Sequence, residues 1–393
     1  MTDAVDRETR HRELAEQYLP DDLLERFRER AAVYDRDNAF FTEDLEELRE
    51  RGYLLAFVPT EFGGGGLNLQ QVSKLQQRLA TAAPGTALAI NMHLLCTGVV
   101  RGMFDRGDTS LGYIFEEAAA GEIFAFGISE PSNDWVLQGS NSKAVPQDDG
   151  SYLLTGTKIF TSLSPVWTRL ITHGLDETDP ENPTLVFGFV EREAEGVTVS
   201  DSWDVVGMRP SHSRATRLDN VRMRPDRVAR RIPAGRHPDL LTFSITCNFQ
   251  LLVASVYAGV AKRALELGAA GLKARKSAKA GASFAEVPEA RVRLADAHMQ
   301  YLAVPAQLDS ICRDFDEVID HGAEWSPRIV AARIHASTTA RRTAEAALAC
   351  SGGSGFSNSH EMSRIFRDAT AGLFHPPSED AARPMFAAAL LDD

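Results

Sequence analysis

The stretches Phe124–Ser129 (FAFGIS), Ser151–Phe160 (SYLLTGTKIF), Arg169–Leu175 (RLITHGL) and Thr184–Val190 (TLVFGFV) decide the fold. Each is short, rich in β-branched and aromatic residues, and bounded by turn-forming clusters, which is how strands read. Gly196–Asp201 (GVTVSD) and Ala215–Met223 (ATRLDNVRM) continue the series. No long helical pattern separates these runs, so they predict an antiparallel β domain. The doubly wound parallel sheet, with its dinucleotide-binding turn, is disfavoured.

Outward from this block the periodicity becomes helical on both sides. On the N-terminal side Leu23, Leu24, Phe27 and Ala31 recur at helical spacing, and Thr42 is placed to cap a helix with an acidic first turn that stops at Gly52. Leu69, Val72, Leu75 and Leu79 mark another helix, and a last one runs from near Ser110 to Gly121. VPTEFGGGG (58–66) is loop; no Lys-Ser/Thr pair follows Gly63–Gly66, so this is a turn and not a phosphate cradle. On the C-terminal side long helices are expected from Leu240 to about Lys276, from Glu289 to Asp320 with a kink at Pro305, and from a Ser326 cap with Pro327 in first position. The expected fold class is α+β multi-domain: an N-terminal all-α domain (1–122), a middle β domain (123–236) and a C-terminal four-helix-type bundle (237–393).

Composition narrows the function. With 393 residues, 44% of them hydrophobic, the chain can bury a sizeable core. Lys and Arg number 42 against 55 Asp and Glu, a formal charge of −13, which argues against nucleic acid as a partner. Cys96, Cys247, Cys312 and Cys350 are widely spaced and form no metal-ligand motif, so reduced thiols, no metal and a cytoplasmic setting are expected. The start is too charged for a signal peptide, and the most apolar helix-like stretch, Leu251–Ala261, is too short to span a bilayer, so no membrane partner is expected.

Four stretches in order complete the picture: VPTEFGGGG (58–66); ISEP (128–131) with GTKIFTS (156–162); GMRPSHS (207–213); and SGGSGF (351–356) followed by SRIFRDA (363–369). Together with the helix–sheet–helix order they resemble the acyl-CoA dehydrogenase superfamily over essentially the whole chain. The resemblance implies a homotetrameric flavoprotein holding FAD between the β domain and the C-terminal bundle. It places Ser129 at the flavin's reactive edge, Phe160 where a Trp usually packs on the ring, and Ser162 where a Thr usually stands. Arg275, with Lys276 as an alternative, corresponds to the Arg that reaches the FAD pyrophosphate of a neighbouring subunit. Gly352, Gly353 and Gly355 match a glycine turn near the cofactor, although Ala349 replaces the Gln that usually precedes it.

Dehydrogenation of an acyl thioester needs a carboxylate to take the α-proton while hydride passes to flavin N5. Counting from Arg367, the family's usual Glu-Gly-Thr corresponds to Pro376, Pro377 and Ser378, and the resemblance implies Ser378 as a further cofactor-binding residue. The alternative position on the first long C-terminal helix is Phe249. Glu379 and Asp380 lie just beyond the expected point and could serve only if the backbone shifts. The segment instead reads Phe374-His375-Pro376-Pro377, in which the prolines stiffen the chain around His375. This resembles the flavin monooxygenases of the same superfamily, which implies His375, His93 and Ser162 as residues that stabilise or protonate a flavin hydroperoxide. His93 also reads as a core histidine, and His212 as a loop residue near the substrate entrance. Arg209 is a candidate partner for an acidic substrate group. Arg222, Arg224, Arg227, Arg230 and Arg231 read either as contacts to a CoA phosphate or as a solvated linker.

Two activities are therefore expected. The first is FAD-dependent α,β-oxidation of an acyl thioester, the acyl group on CoA or on a carrier protein, with a separate electron acceptor. The second is a flavin-dependent monooxygenase, with FMN possible, fed reduced flavin by a separate reductase.

Overall fold

The computed structural model describes residues 2–279 and 281–392. Six helices come first: α1 (Thr2–Tyr18), α2 (Asp21–Asp37), α3 (Thr42–Glu50), α4 (Leu69–Ala80), α5 (Pro84–Phe104) and α6 (Tyr113–Ala119). Eight strands follow: β1 (Phe124–Gly127), β2 (Lys143–Pro146), β3 (Tyr152–Thr161), β4 (Arg169–Asp176), β5 (Thr184–Glu191), β6 (Val197–Val199), β7 (Arg214–Met223) and β8 (Val228–Pro233). The C-terminal part holds α7 (Leu240–Ala274), a small hairpin of β9 (Lys276–Ser277) and β10 (Ala282–Ser283), then α8 (Pro288–Asp316), α9 (Trp325–Ser351), α10 (Glu361–Thr370) and α11 (Glu379–Leu391).

The sheet runs β6-β7-β3-β2-β4-β5-β8, with β1 also on β4. It is mixed, which corrects the all-antiparallel expectation: β1 and β2 both pair with β4 in parallel. The reason lies in the register. β1 occupies residues 169–172 of β4 and β2 meets the same strand at Leu175, so two strands share one edge end to end. The chain between them, residues 128–142, is thereby thrown out of the sheet, and this excursion carries ISEP.

α5 is the helix that periodicity did not reveal. Nearly every side chain on it is buried, so it has no polar face to alternate with an apolar one. α5 and α7 are each long and apolar enough to cross a membrane, which corrects the reading of Leu251–Ala261 as too short, yet most of each is buried inside the fold. α4 starts on a reciprocal Asn68–Gln71 capping box. The Asp316 carboxylate of α8 also accepts from the Leu69 and Gln70 backbone N–H groups at 2.9 and 2.8 Å, which ties the first helices to the last. Some expected caps move by a residue or two. Thr42 is the first residue of α3 rather than its cap, and α9 begins at Trp325, ahead of Ser326. Lys276 lies in the hairpin and not on α7, whose cap is Arg275.

Candidate active site

A cavity of about 540 Å³ opens where the N-terminal half of α5, the sheet, the segment 203–213 and the chain after α10 meet. That is an ordinary size for a small-molecule site.

Its sheet wall is made by the two neighbouring motifs ISEP and GTKIFTS. The Ile159 N–H donates to the Ser129 carbonyl at 2.8 Å, so Ser129 and Phe160 stand side by side in the wall. Phe160 has φ +57° and is 52% exposed, an aromatic ring held open to the cavity. Beside it the hydroxyls of Ser162, Ser213 and Ser211 form a chain with steps of 2.7 and 2.8 Å. All three serines line the cavity.

Behind this wall lies a buried ionic cluster. Lys158 Nζ donates to Glu130 Oε1 at 2.6 Å and to the His173 carbonyl at 2.7 Å, and both charged side chains are essentially inaccessible to solvent. Glu130 also accepts from the Ser140 and Ser142 hydroxyls, the Asn133 amide, and the Asn141 and Ser142 backbone N–H groups. Burial alone would raise its carboxyl, but Lys158 and these donors hold it down at about 2. Lys158 is drawn down to about 8 by burial, against the pull of Glu130, so both are charged at neutral pH. His173 accepts from Lys158 at Nδ1 and donates from Nε2 to the Val136 and Gly139 carbonyls, which fastens the excursion 128–142 onto the sheet.

The opposite wall is the strap Phe374–Pro376. His375 Nε2 lies 2.7 Å from the Tyr257 hydroxyl, and its ring meets those of Tyr257 and Phe249 edge-on. Gln250 donates to the Pro376 carbonyl at 2.8 Å and accepts from Arg333 Nε at 2.9 Å, while Arg333 also donates to the Pro377 carbonyl. Burial, with a smaller push from Arg333, lowers His375 to about 3, so it is neutral. The roof is segment 203–208, fixed to α10 by the Met208 N–H, which donates to buried Asp368 at 2.6 Å. A Cβ at Gly207 would come within 2.2 Å of the Arg367 carbonyl oxygen, so only glycine permits this approach.

The structure thus brings Ser129, Phe160, Ser162 and His375 together around one cavity. It does not bring His93. That side chain is buried in α5 with Nε2 at 2.9 Å from the Leu54 carbonyl and Nδ1 accepting from the Phe124 N–H, so it is a core histidine joining the helices to β1. Met92 and Leu88 face the cavity in its place. Ser378 is likewise diverted: its hydroxyl caps α11 by accepting from the Ala381 N–H at 3.2 Å. Glu379 and Asp380 occupy the first turn of that helix and pair with Arg383 on the surface, so neither supplies a base. Arg275, Gly352 and Gly353 gather in a separate cluster, where Arg275 lies across Gly352 and donates to the Cys350 carbonyl at 2.9 Å.

His212 does not line the cavity; its ring bridges the Asn38 carbonyl and Arg214. Arg209 bonds to Asp204 and to the Asp35 and Val205 carbonyls. Arg222, Arg224, Arg227 and Arg230 are all in ion pairs within the chain.

Lys158, Glu130, Tyr257, Gln250 and Arg333 were missed in the sequence, although a signal existed for two of them. Lys158 falls on the inward positions of β3 with Tyr152 and Leu154, where a charge demands a buried partner. Arg333 sits on the apolar stripe of α9 with Ile329 and Ala340.

A planar aromatic cofactor fits this cavity: the exposed Phe160 ring, hydroxyl groups beside it, and a lining carboxylate, Glu130, already neutralised by Lys158. Comparisons with known proteins point the same way. Residues 9–102, 125–221 and 251–377 match the N-terminal, middle and C-terminal domain profiles of acyl-CoA dehydrogenases. L-evernosamine nitrososynthase from Micromonospora sp. is 27% identical over 368 residues, covering 90% of this chain and 84% of that protein. Dibenzothiophene monooxygenase from Rhodococcus qingshengii is 28% identical over 252 residues, 62% of this chain and 59% of the other. The structure of KijD3 in complex with FMN and dTDP-3-amino-2,3,6-trideoxy-4-keto-3-methyl-D-glucose superposes with a TM-score of 0.82 at 26% identity, covering 94% of this chain and 91% of that one.

Proposed function

The chain belongs to the acyl-CoA dehydrogenase family, and from that premise we propose that it is a flavin-dependent monooxygenase rather than a dehydrogenase. One observation carries this reading. Among the described residues lining the cavity the sole carboxylate is Glu130, and six donors on Lys158, Asn133, Ser140, Asn141 and Ser142 already occupy it. A carboxylate held at about 2 and saturated with donors cannot abstract the α-proton of a thioester. The monooxygenase and nitrososynthase relatives support the same choice.

Phe160, Ser129 and Ser162 are the residues that would hold the flavin ring, with FMN as the form found in KijD3. When bound in reduced form, the flavin supplies the two electrons with which one atom of O₂ enters the substrate and the other leaves as water. The chain's own residues handle the proton and exclude solvent. Burial keeps the Tyr257 hydroxyl protonated, so it can donate to His375 Nε2 and leave the ring proton on Nδ1. His375 is then a neutral hydrogen-bond donor in one wall of the cavity, and the Ser162–Ser213–Ser211 hydroxyl chain lines the other. Phe126, Phe249 and Trp203 keep the interior dry. A separate flavin reductase, a homotetrameric assembly and a cytoplasmic location complete the proposal.

The test is an anaerobic titration of the flavin-loaded protein with acyl-CoAs of graded length. The oxidised flavin band should persist throughout; stoichiometric bleaching by any thioester would return the chain to the dehydrogenases.

A further inference from the structure

We infer that the cavity selects an uncharged, flat aromatic substrate and rejects one that brings a phosphate or carboxylate group into it. The inference rests on the monooxygenase site just described and names its substrate class. Phe126 and Phe249 stack with centroids 6.1 Å apart and planes at 30°, and His375 meets Phe249 edge-on at 6.4 Å. Flat aromatic molecules are favoured against such an aromatic surface by area burial and by ring geometry.

The charge distribution is equally selective. Among the described residues lining the cavity there is no Lys or Arg, and its one carboxylate is neutralised by Lys158. A charged substrate group would therefore enter the cavity unpaired, at a large desolvation cost. The arginines nearest the roof are already engaged. Arg209 holds Asp204, and Arg367 grips Asp35 through both of its terminal nitrogens. Around them Asp201 and Asp204 pair with Arg214 and Arg209, so these arginines are not free to hold a diphosphate.

The experiment measures binding without turnover. Protein saturated with oxidised FMN, with no reductant, is titrated calorimetrically with 2-naphthol, with 2-naphthoate and with thymidine diphosphate. The two naphthalenes share a shape and differ in charge. Naphthol should bind at least about tenfold tighter than either anion. Phe249→Leu, a substitution of modest size, should weaken naphthol about fivefold. Val206→Arg, at a cavity-lining position that is 67% exposed, should improve naphthoate about fivefold by supplying the missing cation. Naphthoate or thymidine diphosphate binding as tightly as naphthol, unchanged in Val206→Arg, overturns the inference. Reduced FMN and O₂ are then added in a separate arm. If naphthol binds but no oxygenated product forms from any neutral aromatic tested, the monooxygenase reading falls while the selectivity stands. An anion that binds and is oxygenated would do the reverse.

Discussion

Two buried cations flank the cavity, and they are satisfied in opposite ways. Lys158, behind the sheet wall, is wholly inaccessible and pairs with a carboxylate at 2.6 Å. Arg333, behind the strap, is 1% exposed, and its bonds run to neutral oxygens of Gln250 and Pro377. The difference matches what each wall must do. The sheet side needs a rigid anchor for the excursion 128–142, and an ion pair with many supporting donors provides one. The strap side must keep a histidine neutral, and an uncompensated cation nearby pushes in that direction.

Lys158→Met should have the largest effect, because it strands the Glu130 carboxylate in the interior. A loss of about 3–5 kcal/mol is expected in urea unfolding, and Glu130→Gln in the same chain should restore much of it. If the double variant were as unstable as the single one, the anchor would not be electrostatic.

His375→Ala touches neither anchor; it leaves the buried Tyr257 hydroxyl without its partner, a cost of about 1–3 kcal/mol, and should slow oxygenation by about 10²-fold or more. Full activity in that variant would remove the strap from the chemistry.

Arg333→Met should cost less than the lysine change, about 1–3 kcal/mol, since it leaves unsatisfied carbonyl groups and not an unpaired charge. Equal losses for the two variants would erase the contrast between the walls.

The smallest effect concerns pH. Burial lowers His93 to about 4, below its usual 6.5, so the native state keeps the ring neutral while the unfolded chain takes up a proton. Stability from this group is present above pH 6.5 and is lost as the pH falls toward its native value. The penalty of His93→Gln, measured by denaturation, should therefore shrink by about 1–2 kcal/mol between pH 7 and pH 5. A penalty independent of pH would mean that His93 is not held neutral.

The contrast also explains what could be read in advance. The helix–sheet–helix order, and the meeting of Ser129, Phe160, Ser162 and His375 around one cavity, were legible because these residues sit in local motifs whose chain direction is set by strands, glycine and proline. His93 was misjudged because α5 is apolar on every face, so neighbouring positions such as Met92 and His93 carry no mark of which one turns toward a cavity. Ser378 was misjudged because a Ser followed by Glu379 and Asp380 is also a helix start, and the cap claimed the hydroxyl. The parallel pairings on β4 were hidden because they depend on two strands sharing one edge, which no local pattern encodes.

The most direct test of the account is to incubate the protein with chemically reduced FMN and ¹⁸O₂, offer a panel of neutral bicyclic aromatics, and weigh the products. The expected product carries one labelled oxygen, is formed by the native protein and is nearly lost in His375→Ala. No labelled product from any of them, together with anaerobic reduction of the bound flavin by an acyl-CoA, would contradict it.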